Sequence, residues 1–354
     1  MNKHFDAIIV GQGVAGTVLA MEMIRRGKKP MVIDDAEPET SSRMAAGLIN
    51  PITGRRYHLS WQFEILEQYF KETYEYISEL LGKDYLLEQQ IFRSIKGNSS
   101  IENWFIKSEE PEYAIYVSPG LVETVPDGIF DIEKSWIHIN RAYRLRLSEM
   151  LKDCRNYLDE NGMFQEGKFI HAAMQLGHDS VRYSGTEARG IVFAEGADVL
   201  ENPLFSHLPF NFNKGDILEV SLNDTSLKYI YKDKMFIIPI DDEKYWVGST
   251  YDREYTSADP DSDVRKKISS ALNESIGHGW TTLRHRAAVR PTTRDRRPFL
   301  GSHPDYHNVY LFNGMGTKGC SLAPWSASVF CDFYFDRIML DRSVDLKRYL
   351  HAIH

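Results

Sequence analysis

Residues 5–35, FDAIIVGQGVAGTVLAMEMIRRGKKPMVIDD, read as an apolar strand, a glycine turn, an amphipathic helix and a second apolar strand ending in Asp34 and Asp35. Ile8, Ile9 and Val10 supply the first strand, Leu19, Ala20, Met23 and Ile24 form the helical stripe, and Gly27 stands where the helix stops. In this context Gly11 permits the tight turn out of the strand, Gly13 lets the backbone approach a pyrophosphate, and Gly16 lets the helix pack closely on the sheet. The free amides of the first helical turn, from Val14 and Ala15 onward, and the positive end of the dipole favour phosphate without a basic side chain. Asp34 follows Gly16 by 18 residues, where a carboxylate accepts from ribose hydroxyls and disfavours a 2′-phosphate. The unit binds a dinucleotide. NAD and FAD both satisfy it.

With 354 residues, 42% hydrophobic and 26% charged, the chain is an ordinary globular protein, long enough for two cores. A net charge of −8 argues against a nucleic-acid partner, which needs a positive face to neutralise phosphates. Cys154, Cys320 and Cys331 form no CxxC pair, so neither a disulfide framework nor a zinc site is expected. His138, His285, His303 and His307 lack metal-ligand spacing, and no metal is expected. The apolar run at Ile8–Val10 is too short for a signal peptide and no stretch approaches a membrane span, which predicts a cytoplasmic protein.

Beyond the first unit the pattern predicts an amphipathic helix over 61–81 and short strands over 85–125, with a solvated acidic loop at Glu109–Glu112. A second helix is expected from Asn140, as its cap, to Leu158, with Tyr143, Leu147, Met150, Leu151 and Cys154 on one side. Strand-like pieces follow at 169–174, 180–183 and 190–194, then aromatic-rich strands at GDILEV, KYIYKDKMFIIPIDD and EKYWVGSTYD, and a polar helix over 261–276. Near the C-terminus NVYLFNGMGTKGCSLAPWSASVFCDFYF repeats the opening theme of strand, glycine turn and helix. The predicted fold class is α/β: a discontinuous Rossmann-like nucleotide domain from 1–60, 130–202 and 291–354, with a second α+β domain, 61–129 and 203–290, built on a mostly antiparallel sheet.

Five segments, GQGVAG at 11–16, SSRMAAGLINP at 41–51, VFAEGA at 192–197, VRPTTRDRRPFLG at 289–301 and LFNGMGTKGCSLAP at 311–324, run in this order across nearly the whole chain. Together they resemble the D-amino-acid oxidase superfamily of FAD-dependent oxidoreductases, in the layout of its glycine oxidase and sarcosine oxidase-like members. The resemblance implies FAD rather than NAD, held without a covalent bond, since Cys320 is not at the flavin-linking position of the sarcosine oxidase-like enzymes. It adds Asp35, Leu48, Phe169, Ala194 and Gly196 to the residues about the cofactor. Small side chains at Ser41, Ser42, Ala45, Ala46 and Gly47 suit close approach of backbone amides to the flavin and pyrophosphate. At the second glycine turn, Gly314, Met315, Gly316, Thr317, Lys318 and Gly319 suit the flavin ring, where an ammonium at Lys318 and a helix N-terminus favour the negative charge of the reduced form.

By the same resemblance Arg290 grips a substrate carboxylate through two parallel hydrogen bonds, a task that suits guanidinium geometry. Phe236 and Tyr251 are placed as aromatic walls of the substrate cavity. Thr317 stands where glycine oxidase-like members carry a second, substrate-directed arginine, a departure because of which the resemblance does not carry glycine-like specificity over to this chain. The implied reaction is oxidation of the C–N bond of a small amino acid or N-substituted amino acid by hydride transfer to flavin N5, with oxygen or another species as electron acceptor. Alternatives are a 2-hydroxy acid dehydrogenase, a tRNA-modifying flavoenzyme, and a non-catalytic FAD-binding module.

Overall fold

The computed structural model describes residues 3–122, 125, 130, 134–223 and 227–352. Strands that are apolar at nearly every position need cover on both faces, and these assemble a six-stranded sheet in the order Phe299–Ser302, Val309–Asn313, Ile191–Phe193, Ala7–Val10, Pro30–Asp34, Phe164–Glu166. All its pairings are parallel except the first. Helices Val14–Arg25 and Gly319–Asp336, from opposite ends of the chain, pack side by side. Arg26 ties them further, donating to Asp332 at 2.6 Å and to Ser328.

Strands that alternate in polarity build the second, eight-stranded sheet: Trp280–Arg290, Asn213–Leu222, Tyr245–Gly248, Phe236–Pro239, Ile230–Lys232, Leu86–Ile95, Ser135–Leu145, Leu48–Ile49. It is antiparallel except where Ile230–Lys232 meets Leu86–Ile95. Leu218, Val220, Tyr231, Ile237 and Val247 point to a core shared with Ile268 and Leu272 of helix Ser262–Ile276, which Asp261 caps. Their strand neighbours Lys232, Phe236, Ile238 and Trp246 therefore point the other way, toward the parallel sheet.

Several expected elements differ. The helix expected from Asn140 begins only at Leu147 and runs to Glu160, and Asn140 and Tyr143 belong to strand Ser135–Leu145. Cross-strand partners decided this: Tyr143 stands opposite Glu88 and donates its hydroxyl to the buried Glu67 carboxylate. In place of short strands over 85–125 there is one long strand, Leu86–Ile95, followed by helices Asn98–Ser108 and Pro111–Ala114. The acidic Glu109–Glu112 stretch joins those helices and contributes Pro111 at a helix start. Residues 169–174 form no strand; they hold a single 3₁₀ turn at His171–Ala173, and Phe169 stacks on Tyr183. Strand Trp280–Arg290 went unforeseen because Arg284, His285 and Arg286 interrupt its apolar pattern.

The chain also crosses between the sheets more often than the expected boundaries allow. Leu48–Ile49 and Ser135–Leu145 lie in the larger sheet, while helix Phe63–Leu81 packs on Gly319–Asp336, with Tyr74 donating to the Cys320 carbonyl at 2.7 Å.

Candidate active site

The carboxyl ends of Ala7–Val10, Pro30–Asp34, Ile191–Phe193 and Val309–Asn313 open into one cavity of about 1220 Å³, walled opposite by the free face of the larger sheet. Ligands of parallel sheets bind at strand carboxyl ends, and this volume exceeds the ~300–1,000 Å³ of ordinary small-molecule pockets.

Two close approaches shape the floor. A Cβ on Gly16 would lie 1.9 Å from the Gly11 carbonyl oxygen, and one on Gly11, whose φ is +101°, would lie 2.6 Å from the Ala194 carbonyl oxygen. Helix Val14–Arg25 starts at Gly13 with no cap of its own, and the Val14 amide donates 3.0 Å to Ser42 Oγ from the neighbouring loop. Ser42→Ala removes that acceptor and the hydroxyl beside the phosphate site. Flavin retention should weaken by about 1 kcal/mol, read as an increase of several-fold in the FAD dissociation constant by titration of apoprotein.

Asp34 organises the turn from below. Its Oδ2 accepts from the Gln12 amide at 2.7 Å, its Oδ1 accepts from the Ala36 amide at 2.9 Å and from Arg155, and Arg155 Nε donates to Gln12 Oε1 at 2.8 Å. Gln12 Nε2 in turn donates to the Leu151 carbonyl. Neither Gln12 nor Arg155 was legible as a site residue, because Arg155 arrives from a helix more than a hundred residues away.

Gly11, Gly13, Val14, Ala15, Asp34, Asp35, Ser41, Ser42, Ala45, Ala46, Gly47 and Leu48 border the cavity, as do Phe169, Ala194, Gly196, Met315, Gly316, Thr317, Lys318 and Gly319. Gly16 sits beneath the first turn, and Gly314 beneath the second against Thr293. The two turns touch: a Cβ on Gly319 would lie 2.6 Å from Val14 Cγ1.

Lys318 is the N-cap residue of the last long helix and donates to Ser60 Oγ at 3.1 Å. Burial, reinforced by Arg296 and Arg297, lowers its ammonium to about 8. The charge is therefore present below pH 8 and lost above it. Lys318→Met should lower the reduction potential of the bound flavin and abolish the break near pH 8 in a potentiometric titration.

Arg290 ends strand Trp280–Arg290, only 9% exposed as a residue, on the cavity wall. One terminal nitrogen donates to Asn213 Oδ1 at 2.8 Å and to the Thr250 carbonyl at 3.3 Å. The guanidinium lies across Gly215, where a Cβ would come 1.8 Å from its other terminal nitrogen. Among the described residues no carboxylate forms an ion pair with it, and burial lowers its affinity for its proton. Three nearby arginines are otherwise engaged: Arg284 and Arg286 pair with Glu219, Arg286 also with Glu39, and Arg297 stacks on Trp61.

Phe236 borders the cavity. Tyr251 is not on its wall: the residue is 51% exposed, under Arg253, although it lies within electrostatic reach of Arg290. Trp246, unforeseen, lies on the wall and donates Nε1 to the Met44 carbonyl at 2.9 Å, pinning the single helical turn Ser41–Met44 to the larger sheet. Arg93 and Lys232 were also unforeseen on that wall.

The family model described as FAD dependent oxidoreductase, DAO, matches residues 6–333. The chain belongs to this family. It is an FAD-dependent oxidoreductase, and the paired glycine turns, the uncapped helix start and the loop of small residues fit that cofactor. Over 371 residues it is 22% identical to glycine oxidase of Bacillus subtilis, covering 95% of each chain. It is 23% identical to the tRNA 5-methylaminomethyl-2-thiouridine biosynthesis bifunctional protein MnmC of Vibrio campbellii over 92% of this chain, which spans 55% of that longer protein. Its fold is that of iminodiacetate oxidase from Chelativorans sp. BNC1, with a TM-score of 0.78 at 17% identity over 96% of this chain and 98% of that one. Among the described residues no helix is long and apolar enough to cross a membrane, and no metal-binding cluster of His, Cys, Asp or Glu occurs.

Proposed function

We propose that the protein oxidises the C–N bond of a small amino acid or N-substituted amino acid. The observation that carries this reading is Arg290, a buried cation on the cavity wall with no carboxylate in ion-pair contact among the described residues, Asp216 acting on it only from a distance. A desolvated, unpaired charge is costly, and a substrate carboxylate offsets that cost through two parallel hydrogen bonds. Asn213 and Thr250 occupy one terminal nitrogen and leave the other face of the fork to the ligand.

The chemistry a bound flavin supplies is acceptance of a hydride at N5. For that, the substrate amine must be neutral and its α-carbon held in place, so orientation supplies much of the catalysis. Arg290 fixes the carboxylate, Phe236 and Trp246 exclude water from the sheet side, and Lys318 sets a positive charge beside the second glycine turn. The C–H bond breaks with its electron pair, the nitrogen lone pair forms the C=N bond, the amine proton passes to water, and water hydrolyses the imine. Cys320 borders the cavity, but burial pushes its thiol up to about 12, so it stays protonated and a poor nucleophile, which supports non-covalent cofactor binding.

The test is anaerobic addition of pooled amino acids, N-methylated amino acids and hydroxy acids to the yellow protein. Bleaching by an amine pool is expected; bleaching by hydroxy acids alone overturns the reading. The similarity to the Vibrio protein supports a second reading, in which the oxidised amine is carried on tRNA. The net charge of −8 opposes it, and retention on tRNA at moderate salt would favour it.

A further inference from the structure

Arg93 and Lys232 occupy paired positions on adjacent strands of the larger sheet, and Phe236 pairs with Lys232 on the next. All three face the cavity. The Arg93 guanidinium stacks on Tyr57, its carbon 4.5 Å from the ring centroid, and makes no hydrogen bond or ion pair among the described residues. Lys232 lies with Nζ 5.2 Å from the centre of the Phe236 ring and donates only to the Lys234 carbonyl. Two half-buried cations thus stand side by side with no carboxylate in ion-pair contact among the described residues; Asp233, next in sequence to Lys232, acts on it only from a distance and is paired with Lys134. Burial first, then repulsion from Arg93, lower the Lys232 ammonium to about 8 against the attraction of Asp233.

Their distance from Arg290 follows from sheet geometry. The Arg290 guanidinium rests over Gly215, whereas Lys232 rests over Phe236. Phe236 is two strands from Ile217, and Gly215 is two residues along that strand, which puts the backbone positions beneath the two cationic centres on the order of 12 Å apart. A charge-assisted contact of about 2.8 Å at each end leaves about 6 Å between the bound oxyanions.

We propose that Arg93 and Lys232 form a second anion-binding site in the substrate cavity, so that the substrate is an amine bearing, beyond the carboxylate held by Arg290, a further oxyanion a few bonds away. This rests on the reading of Arg290 given above and narrows it to doubly anionic substrates. An amine lying between two such anchors is held at both ends. Phe236, at the Lys232 end of this span, presents an apolar ring to the cavity and suits the methylene groups that join two acids, while Ile238 and Trp246 lie one register row further from Gly215.

The test is calorimetric binding of redox-inert acids to the FAD-loaded protein. Acetate and butyrate are the single-charge probes; succinate, glutarate, adipate and 3-phosphonopropionate are the double-charge probes. At least one of the latter should bind about ten-fold or more tighter than butyrate, the low end of what a desolvated charge pair adds. A leading phosphonate identifies the second oxyanion as phosphate-like, and a leading dicarboxylate as carboxylate. Arg93→Met and Lys232→Met should each reduce that preference strongly while acetate affinity changes less than about two-fold, and Lys232→Arg should retain it. No preference in the unmodified protein, or a preference that survives Arg93→Met with Lys232→Met, overturns the second site. The Arg290 assignment fails separately, if Arg290→Met leaves acetate binding unchanged.

Discussion

Gly16→Ala is expected to yield a colourless protein. Its new methyl would sit 1.9 Å from the Gly11 carbonyl oxygen, a backbone atom that cannot swing aside as a side chain does. Overpacking costs about 1–3 kcal/mol even where side chains relax, and here the displaced atom belongs to the turn that faces the dinucleotide. FAD affinity should fall by roughly 10- to 100-fold on that scale, with a lowered Tm. Visible absorbance after purification and FAD titration of apoprotein measure both effects. A fully yellow variant with unchanged affinity would show that the first glycine turn does not shape the cofactor site.

Arg290→Met should leave a yellow protein that carboxylate-bearing amines scarcely bleach. Losing one partner of a desolvated ion pair costs about 2–5 kcal/mol, or roughly 30- to 5,000-fold in kcat/KM. Arg290→Lys should not restore activity, because an ammonium cannot present two parallel donors. Gly215→Ala offers an independent check, since its Cβ would fall 1.8 Å from a guanidinium nitrogen and push the fork off its seat. Wild-type anaerobic kinetics in Arg290→Met would remove the anchor from the proposal.

The parts of the fold that were legible in the sequence are those whose signal is local. The turn from Gly11 to Gly16, and its counterpart from Gly314 to Gly319, each announce a strand, a turn and a helix within about twenty residues, the span of a βα unit. Asn140–Leu158 failed for the opposite reason. Tyr143, Leu147, Met150 and Cys154 match a helical stripe, yet Tyr143 is drawn into a strand by the partner across from it, Glu88, and by Glu67 on a helix. Strand Trp280–Arg290 carries charges that a periodicity rule reads as loop, although each is accommodated by pairing with Asn213–Leu222 or at the sheet edge.

The candidate site divides in the same way. Its dinucleotide half lies in contiguous glycine-rich segments. Its other half is written across a sheet: Arg93, Lys232, Trp246 and Arg290 come from four strands and meet only through register. Of these, only Arg290 had a neighbouring motif to mark it. Gln12 and Arg155 show that even the fingerprint turn leans on a distant helix.

The contact between Gly319 and Val14 carries a consequence for the order of events during synthesis. The first glycine turn leaves the ribosome some three hundred residues before its counterpart. Until then the newborn chain presents half a berth. Coenzyme capture therefore waits for the second glycine turn, and any nascent fragment that stops short of helix Gly319–Asp336 should emerge flavin-free, however well its first βαβ unit has formed.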